Sequence, residues 1–282
     1  MTEIQQWPCK RIDVGGVTLN VVDVGEGKPV LLVHGYPDSH TVWRNQIPEL
    51  IRSGYRVIAP DTRGRGESGI PVGTANYKWS ILASDLVSLL DALEIERVQL
   101  VGHDWGAIIG WQMAISYPER IEKYITLSVG HPNAYARGGL MQKLKGWYVI
   151  AMQFRGIFEL SVKAWNWLLL RTVANYPAES SDWIRSLERP GRLTAAVNYY
   201  RANWIEMVFT ANYRNVSIPV VGVFSDGDRF LTEAQMKKSA CYCDSSFDYV
   251  RISGANHWMQ LDAPERVNAI LLEHLVPVDE KQ

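Results

Sequence analysis

Short apolar runs alternate with helical periods along most of the chain. Val17–Val24 (VTLNVVDV) reads as an early strand, paired antiparallel at one edge of a sheet. Pro29–Val33 (PVLLV), Tyr55–Ala59 (YRVIA) and Arg97–Val101 (RVQLV) are brief and nearly continuous in apolar residues, as strands covered on both faces are. Ile121–Val129, Pro219–Phe224 and Phe247–Ile252 extend the series. Between them lie helices. Leu82, Leu86, Leu89 and Leu93 recur at helical spacing and cover one face of the sheet. After Asp262, Pro264 falls in the first turn of a last helix, where a missing N–H costs little, and Val267, Ile270 and Leu271 form its inward stripe. This alternation predicts an α/β fold on a mostly parallel sheet.

The alternation breaks between about His131 and Tyr213. That stretch shows helical periods, no clear strand and five of the eleven tryptophans (Trp147, Trp165, Trp167, Trp183 and Trp204). It reads as a helical cap, residues 131–213, inserted into a core made of residues 1–130 and 214–282. The cap carries ten Lys and Arg against five Asp and Glu. A solvated surface accounts for that excess, and an association face is the alternative.

Composition narrows the class without choosing a function. With 282 residues, 47% hydrophobic and 21% charged, the chain has a soluble globular make-up and enough length for one large core plus an insertion. A formal net charge of −1 gives no broad attraction to nucleic acid or anionic membrane. The start, MTEIQQWPCKRID, lacks the apolar run of a signal peptide, and no stretch reaches the roughly 18 apolar residues of a spanning helix, so a cytoplasmic location is expected. Cys9, Cys241 and Cys243 are an odd set without a spaced framework; they read as small apolar residues rather than as a disulfide or metal ligands.

The chemistry enters with Gly102-His103-Asp104-Trp105-Gly106, directly after the run Arg97–Val101 and before the helical run Ala107–Tyr117. Strand, small-x-nucleophile-x-small, helix is the pattern of a nucleophile elbow, with Asp at the centre where serine is usual. The flanking glycines allow close backbone approach around a strained central residue. An Asp merely capping the following helix is the plain alternative. A carboxylate attacks esters and amides poorly but can displace at a strained or activated sp³ carbon, leaving an ester that water must hydrolyse. Epoxides and carbon–halogen bonds meet that requirement.

The blocks LLVHGYPDS, APDTRGRGES, LVGHDWGA, NYYRANW, DGDRFL and GANHWMQLDAPERVN resemble the epoxide hydrolase branch of the α/β-hydrolase superfamily, over nearly the full chain. The resemblance implies an α/β-hydrolase fold with a mostly parallel eight-stranded sheet flanked by helices and carrying a cap. It implies Asp104 as nucleophile, His257 as general base for water, and an acid after the strand Pro219–Phe224 that orients the imidazole. Asp228 matches the family position; Asp226 competes and also reads as a turn residue beside Gly227. Asp61 looks like a structural loop acid. The backbone N–H groups of Tyr36 and Trp105 would form the oxyanion hole, with Pro37 after a cis peptide as in relatives.

An epoxide leaves as an alkoxide, so a proton donor must face Asp104. Relatives use two cap tyrosines. Tyr200 fits one, with Tyr199 its rival by one position, and Tyr148 fits the other less closely. Ordinary amphipathic packing is the alternative for each. The expected partners are a hydrophobic epoxide and water, with no nucleic acid, no membrane span, no metal and no organic cofactor, in a monomer or homodimer. A haloalkane dehalogenase would share Asp104, Trp105, the acid and the histidine. Tyr36 stands where one dehalogenase subclass has Asn, whereas the five cap tryptophans leave the other subclass open. A catalytically silent binder on the same scaffold is a third reading, set against the presence of every expected group. A serine-type esterase is disfavoured, because no Gly-x-Ser-x-Gly follows a buried strand.

Overall fold

The computed structural model describes residues 7–207 and 212–277. Its centre is an eight-stranded sheet: β1 (Cys9–Asp13), β2 (Thr18–Val24), β3 (Pro29–Val33), β4 (Arg56–Pro60), β5 (Val98–His103), β6 (Ile121–Leu127), β7 (Val220–Ser225) and β8 (Phe247–Ile252). Their order across the sheet is β1-β2-β4-β3-β5-β6-β7-β8. β2 runs antiparallel to both β1 and β4, and every pairing from β4 to β8 is parallel. The mostly parallel sheet read from the sequence is therefore present, with ends moved by a residue or two. β5 extends through Gly102 and His103, which continue its ladder against Thr126 and Leu127.

Alternation along the central strands divides the core in two. Leu31 and Val33 face Leu82, Leu86, Leu89 and Leu90 of helix Trp79–Ala92 and Ile109 of helix Trp105–Ser116. Val30 and Leu32 face the other way, onto Ile47 and Leu50 and onto Val267, Ile270 and Leu271 of helix Pro264–His274. This last helix begins at Pro264, as expected, and its three predicted core residues are buried.

The chain leaves β3 for β4 on one side and returns through a helix to β5 on the other. Ligands in open α/β sheets collect where strand order reverses in this way, at the carboxyl ends of the strands. The loops after β3 and β5 thus mark the place for a site. Between β6 and β7 the described residues form helices, including Gly139–Lys145, Trp147–Ala151, Ile157–Ala174, Pro177–Glu188 and Arg192–Ile205. The helix Ile157–Ala174 is two pieces joined at a kink, where Trp165, Asn166 and Trp167 all have positive φ (48°, 56° and 60°). Cys241 lies in a short 3₁₀ turn, Ser239–Tyr242, and is exposed, as is Cys9; neither acts as a buried apolar residue.

Candidate active site

Asp104 sits between β5 and helix Trp105–Ser116 with φ 52° and ψ −119°, a conformation that a non-glycine residue holds only when its surroundings impose it. Those surroundings are glycine-lined. A Cβ on Gly106 would overlap the Val33 carbonyl oxygen, one on Gly102 would lie 2.5 Å from the Gly106 carbonyl oxygen, and one on Gly35 would overlap the Asp104 carboxylate itself. Asp104 makes no side-chain cap bond to its helix, so capping does not explain it.

Its carboxylate is instead held from two sides. The Tyr36 backbone N–H donates to Oδ1 at 2.6 Å, and His257 Nε2 stands 3.6 Å from Oδ2. The Tyr36–Pro37 peptide is cis. The second expected amide, that of Trp105, is the first of its helix and so has no partner within that helix. His257 lies in the loop after β8, and its Nδ1 donates to Asp228 Oδ2 at 2.8 Å. Asp228 follows β7, and the amides of Phe230 and Leu231 donate to its other oxygen at 2.8 and 3.0 Å. Asp226 faces away and accepts from the Gly254 amide and Arg251, so of the two acids it is Asp228 that meets the imidazole. Asp61 accepts from His40, Asn20 and the Glu67 amide, as a loop-organising acid does.

Burial and charge set the protonation states. Burial works against the His257 cation, but the Asp228 and Asp104 carboxylates prevail and hold its pKa at about 10. Burial likewise works against the Asp104 anion, yet the His257 imidazolium and the Tyr36 amide bring it below the ordinary carboxylate range. Asp228 is lowered against burial by His257 and its two amide donors. The resting site is thus a cation between two anions.

One apolar cavity opens over this group. Tyr36, Asp104, His257, Tyr148, Tyr200 and Phe230 border it, and Trp147, Met152, Phe158, Val162, Leu169 and Leu170 close it from the helical insertion. Tyr200 stands edge-on to Tyr36, Trp105 and Tyr148, with ring centroids 5.9, 5.0 and 5.9 Å apart. Tyr199 points elsewhere: its hydroxyl donates to the Arg63 carbonyl at 2.7 Å and lies 3.0 Å from Thr62 Oγ1. Burial, reinforced by Asp104, pushes both Tyr148 and Tyr200 well above the ordinary phenol range, so both hydroxyls keep their protons. Among the described residues, no group of His, Cys, Asp and Glu could hold a metal ion.

Three neighbours escaped the reading of the sequence. Phe230 packs edge-on against His257, and its place two residues after Asp228 was the only hint of it. The His103 imidazole Nε2 donates to the His257 carbonyl at 2.9 Å; burial lowers its pKa to about 3 and keeps the ring neutral. Asp38, one residue after Pro37, accepts the indole N–H of Trp183 at 2.8 Å on one oxygen and that of Trp258 at 2.9 Å on the other. Burial raises its pKa to about 7. Trp183 belongs to the insertion and Trp258 follows His257, so Asp38 joins the two regions.

Residues 28–264 match the family described as alpha/beta hydrolase fold. The chain is 31% identical to the AB hydrolase superfamily protein YfhM of Bacillus subtilis, covering 95% of this chain and 97% of that protein. It is also 31% identical to human epoxide hydrolase 4, over 93% of this chain and 76% of that one. Among solved structures, the Bacillus megaterium epoxide hydrolase in complex with an inhibitor superposes with a TM-score of 0.85 at 26% identity, covering 94% of this chain and 99% of that one. The chain is a hydrolase of the α/β-hydrolase superfamily and belongs to its epoxide hydrolase family.

Proposed function

We propose that this hydrolase opens an apolar epoxide to a vicinal diol through an ester on Asp104, with residues 131–213 serving as the cap over the reacting atoms. The observation that carries the reading is the placement of two protonated tyrosines, Tyr148 and Tyr200, in the same cavity as an elbow carboxylate backed by His257.

In the first step Asp104 attacks a ring carbon, the C–O bond breaks, and Tyr148 and Tyr200 hydrogen-bond the departing oxygen, one of them giving up its proton. Esterification removes the Asp104 charge. His257 then loses one of the two anions that sustain its cation, and the proton it releases restores the tyrosine. In the second step neutral His257, oriented by Asp228, takes a proton from water as that water attacks the Asp104 carboxyl carbon. The oxyanion that develops there is met by the amides of Tyr36 and Trp105; losing one such donor typically costs about 10²–10³ in rate. Collapse frees the diol and returns Asp104 as an anion beside a protonated His257. Protons balance without any other acid or base.

Parallel assays on styrene oxide and a chloroalkane test the leaving group. Diol formation without halide release is expected, and halide release without diol would replace this reading with dehalogenation. His257→Gln is expected to accumulate the alkyl-enzyme, visible as added mass on the Asp104 peptide. Undiminished turnover by that variant would remove His257 from its role.

A further inference from the structure

Among the described residues, every exposed large apolar side chain other than Ile70, Val72 and Ile205 lies between Leu140 and Leu168. The set includes Leu144, Ile157, Leu160 and Trp165, of which the last three are 68%, 72% and 84% exposed. The part of this stretch after Trp147 also turns Met152, Phe158 and Val162 inward, onto the cavity. The helix Ile157–Ala174 is therefore apolar on both faces, and a helix of that kind is stable when both faces are covered. A patch on this scale on a soluble domain marks a contact surface.

Charge identifies what covers it. From residue 139 to residue 172 the basic side chains are Lys143, Lys145, Arg155, Lys163 and Arg171, and the acidic side chain is Glu159 alone. Glu159 is occupied by a two-point pair with Arg201, and Lys145 turns inward to the Asp228 and Leu231 carbonyls. Lys143, Arg155 and Lys163 stay exposed around the apolar residues. A second copy of the chain in a two-fold contact would set these cations against themselves, with no free acid in residues 139–172 to answer them. An anionic lipid surface offers both what the apolar side chains and what the cations require, and exposed tryptophans such as Trp147 and Trp165 suit its interface. The near-neutral charge of the whole chain conceals this local excess.

We propose that the outer face of residues 140–168 docks on an anionic membrane surface, which it meets from one side as a peripheral contact. Among the described residues no helix is long and apolar enough to cross a membrane. Docking there would set the wall of the cavity against the lipid in which apolar substrates dissolve; that use rests on the epoxide reading, whereas the docking does not.

Co-sedimentation of the full chain with vesicles tests it, using phosphatidylcholine alone and an equal mixture of phosphatidylcholine and phosphatidylglycerol. Binding to the mixed vesicles is expected to be about tenfold or more tighter and to weaken with salt. The double variant Leu144→Glu/Ile157→Glu is expected to lose about tenfold or more of that binding with an unchanged thermal melt. Lys143→Glu/Lys163→Glu is expected to lose the preference for anionic lipid. Failure of the wild type to sediment with mixed vesicles, or equal sedimentation by the apolar double variant, would overturn the proposal. So would a wild-type dimer in sedimentation velocity that the apolar variant loses, without vesicle binding; that result would assign the face to a second copy. Because vesicle binding is read without turnover, its failure is separable from failure of the epoxide assay.

Discussion

Replacing Asp104 by Asn is expected to turn His257 from a fixed cation into a group that titrates near neutrality. Asn keeps the shape of the carboxylate and removes its charge, as an ester does. Asp104 Oδ2 lies 3.6 Å from His257 Nε2. At an effective dielectric of about 20, unit charges at that separation interact by roughly 4–5 kcal/mol, or about three powers of ten in proton affinity. Removing an anion weakens proton binding, so the His257 pKa should fall from about 10 toward a value near 7. Asp228, still bonded to Nδ1, prevents a deeper fall. The measurement is a nuclear magnetic resonance titration of isotope-labelled histidine in Asp104→Asn, with the His257 signal among the six assigned by its loss in His257→Gln. A pKa still above about 9 in Asp104→Asn would refute the reasoning, since Asp228 alone would then hold the proton and ester formation could not release it.

Three further outcomes are expected. Tyr200→Phe and Tyr148→Phe should each slow ester formation by about 10²-fold in stopped-flow single turnovers, and the double variant should lose more than either. Asp38→Asn must point an N–H₂ at one of two indole N–H donors, so it should cost about 1–3 kcal/mol, read as a lower urea midpoint. His257 should also shape stability against pH. Its folded pKa of about 10 lies above its ordinary 6.5, so its contribution is full below pH 6.5 and is lost as pH rises through 10. The difference in denaturant stability between wild type and His257→Gln should narrow across that window.

What could be read in advance was local, and what could not was relational. The elbow announces itself because strand, glycines, Asp104 and helix occupy consecutive positions. The buried strands were equally plain, since PVLLV and RVQLV have no other reason to be so apolar. β1 was missed because CKRID is an exposed edge strand, and an edge needs little hydrophobicity. Tyr199 and Tyr200 are neighbours on one helix, and distant partners separate them: Tyr199 bonds the Thr62–Arg63 loop, whereas Tyr200 packs on Tyr36, Trp105 and Tyr148. Asp38 gave no signal at all. Its partners lie 145 and 220 residues away, and a carboxylate that accepts two indoles resembles any loop acid until those distances close.

The bridge through Asp38 limits how far this molecule can be rebuilt from exchangeable parts. An insertion transplanted from a relative without an indole at the Trp183 position would leave a buried carboxylate short of a donor, next to the segment that carries His257. A graft intended only to alter substrate preference would then disturb the chemistry as well. Residues 38, 183 and 258 therefore work as one unit, although they lie far apart in sequence. A designer who moves one must move all three.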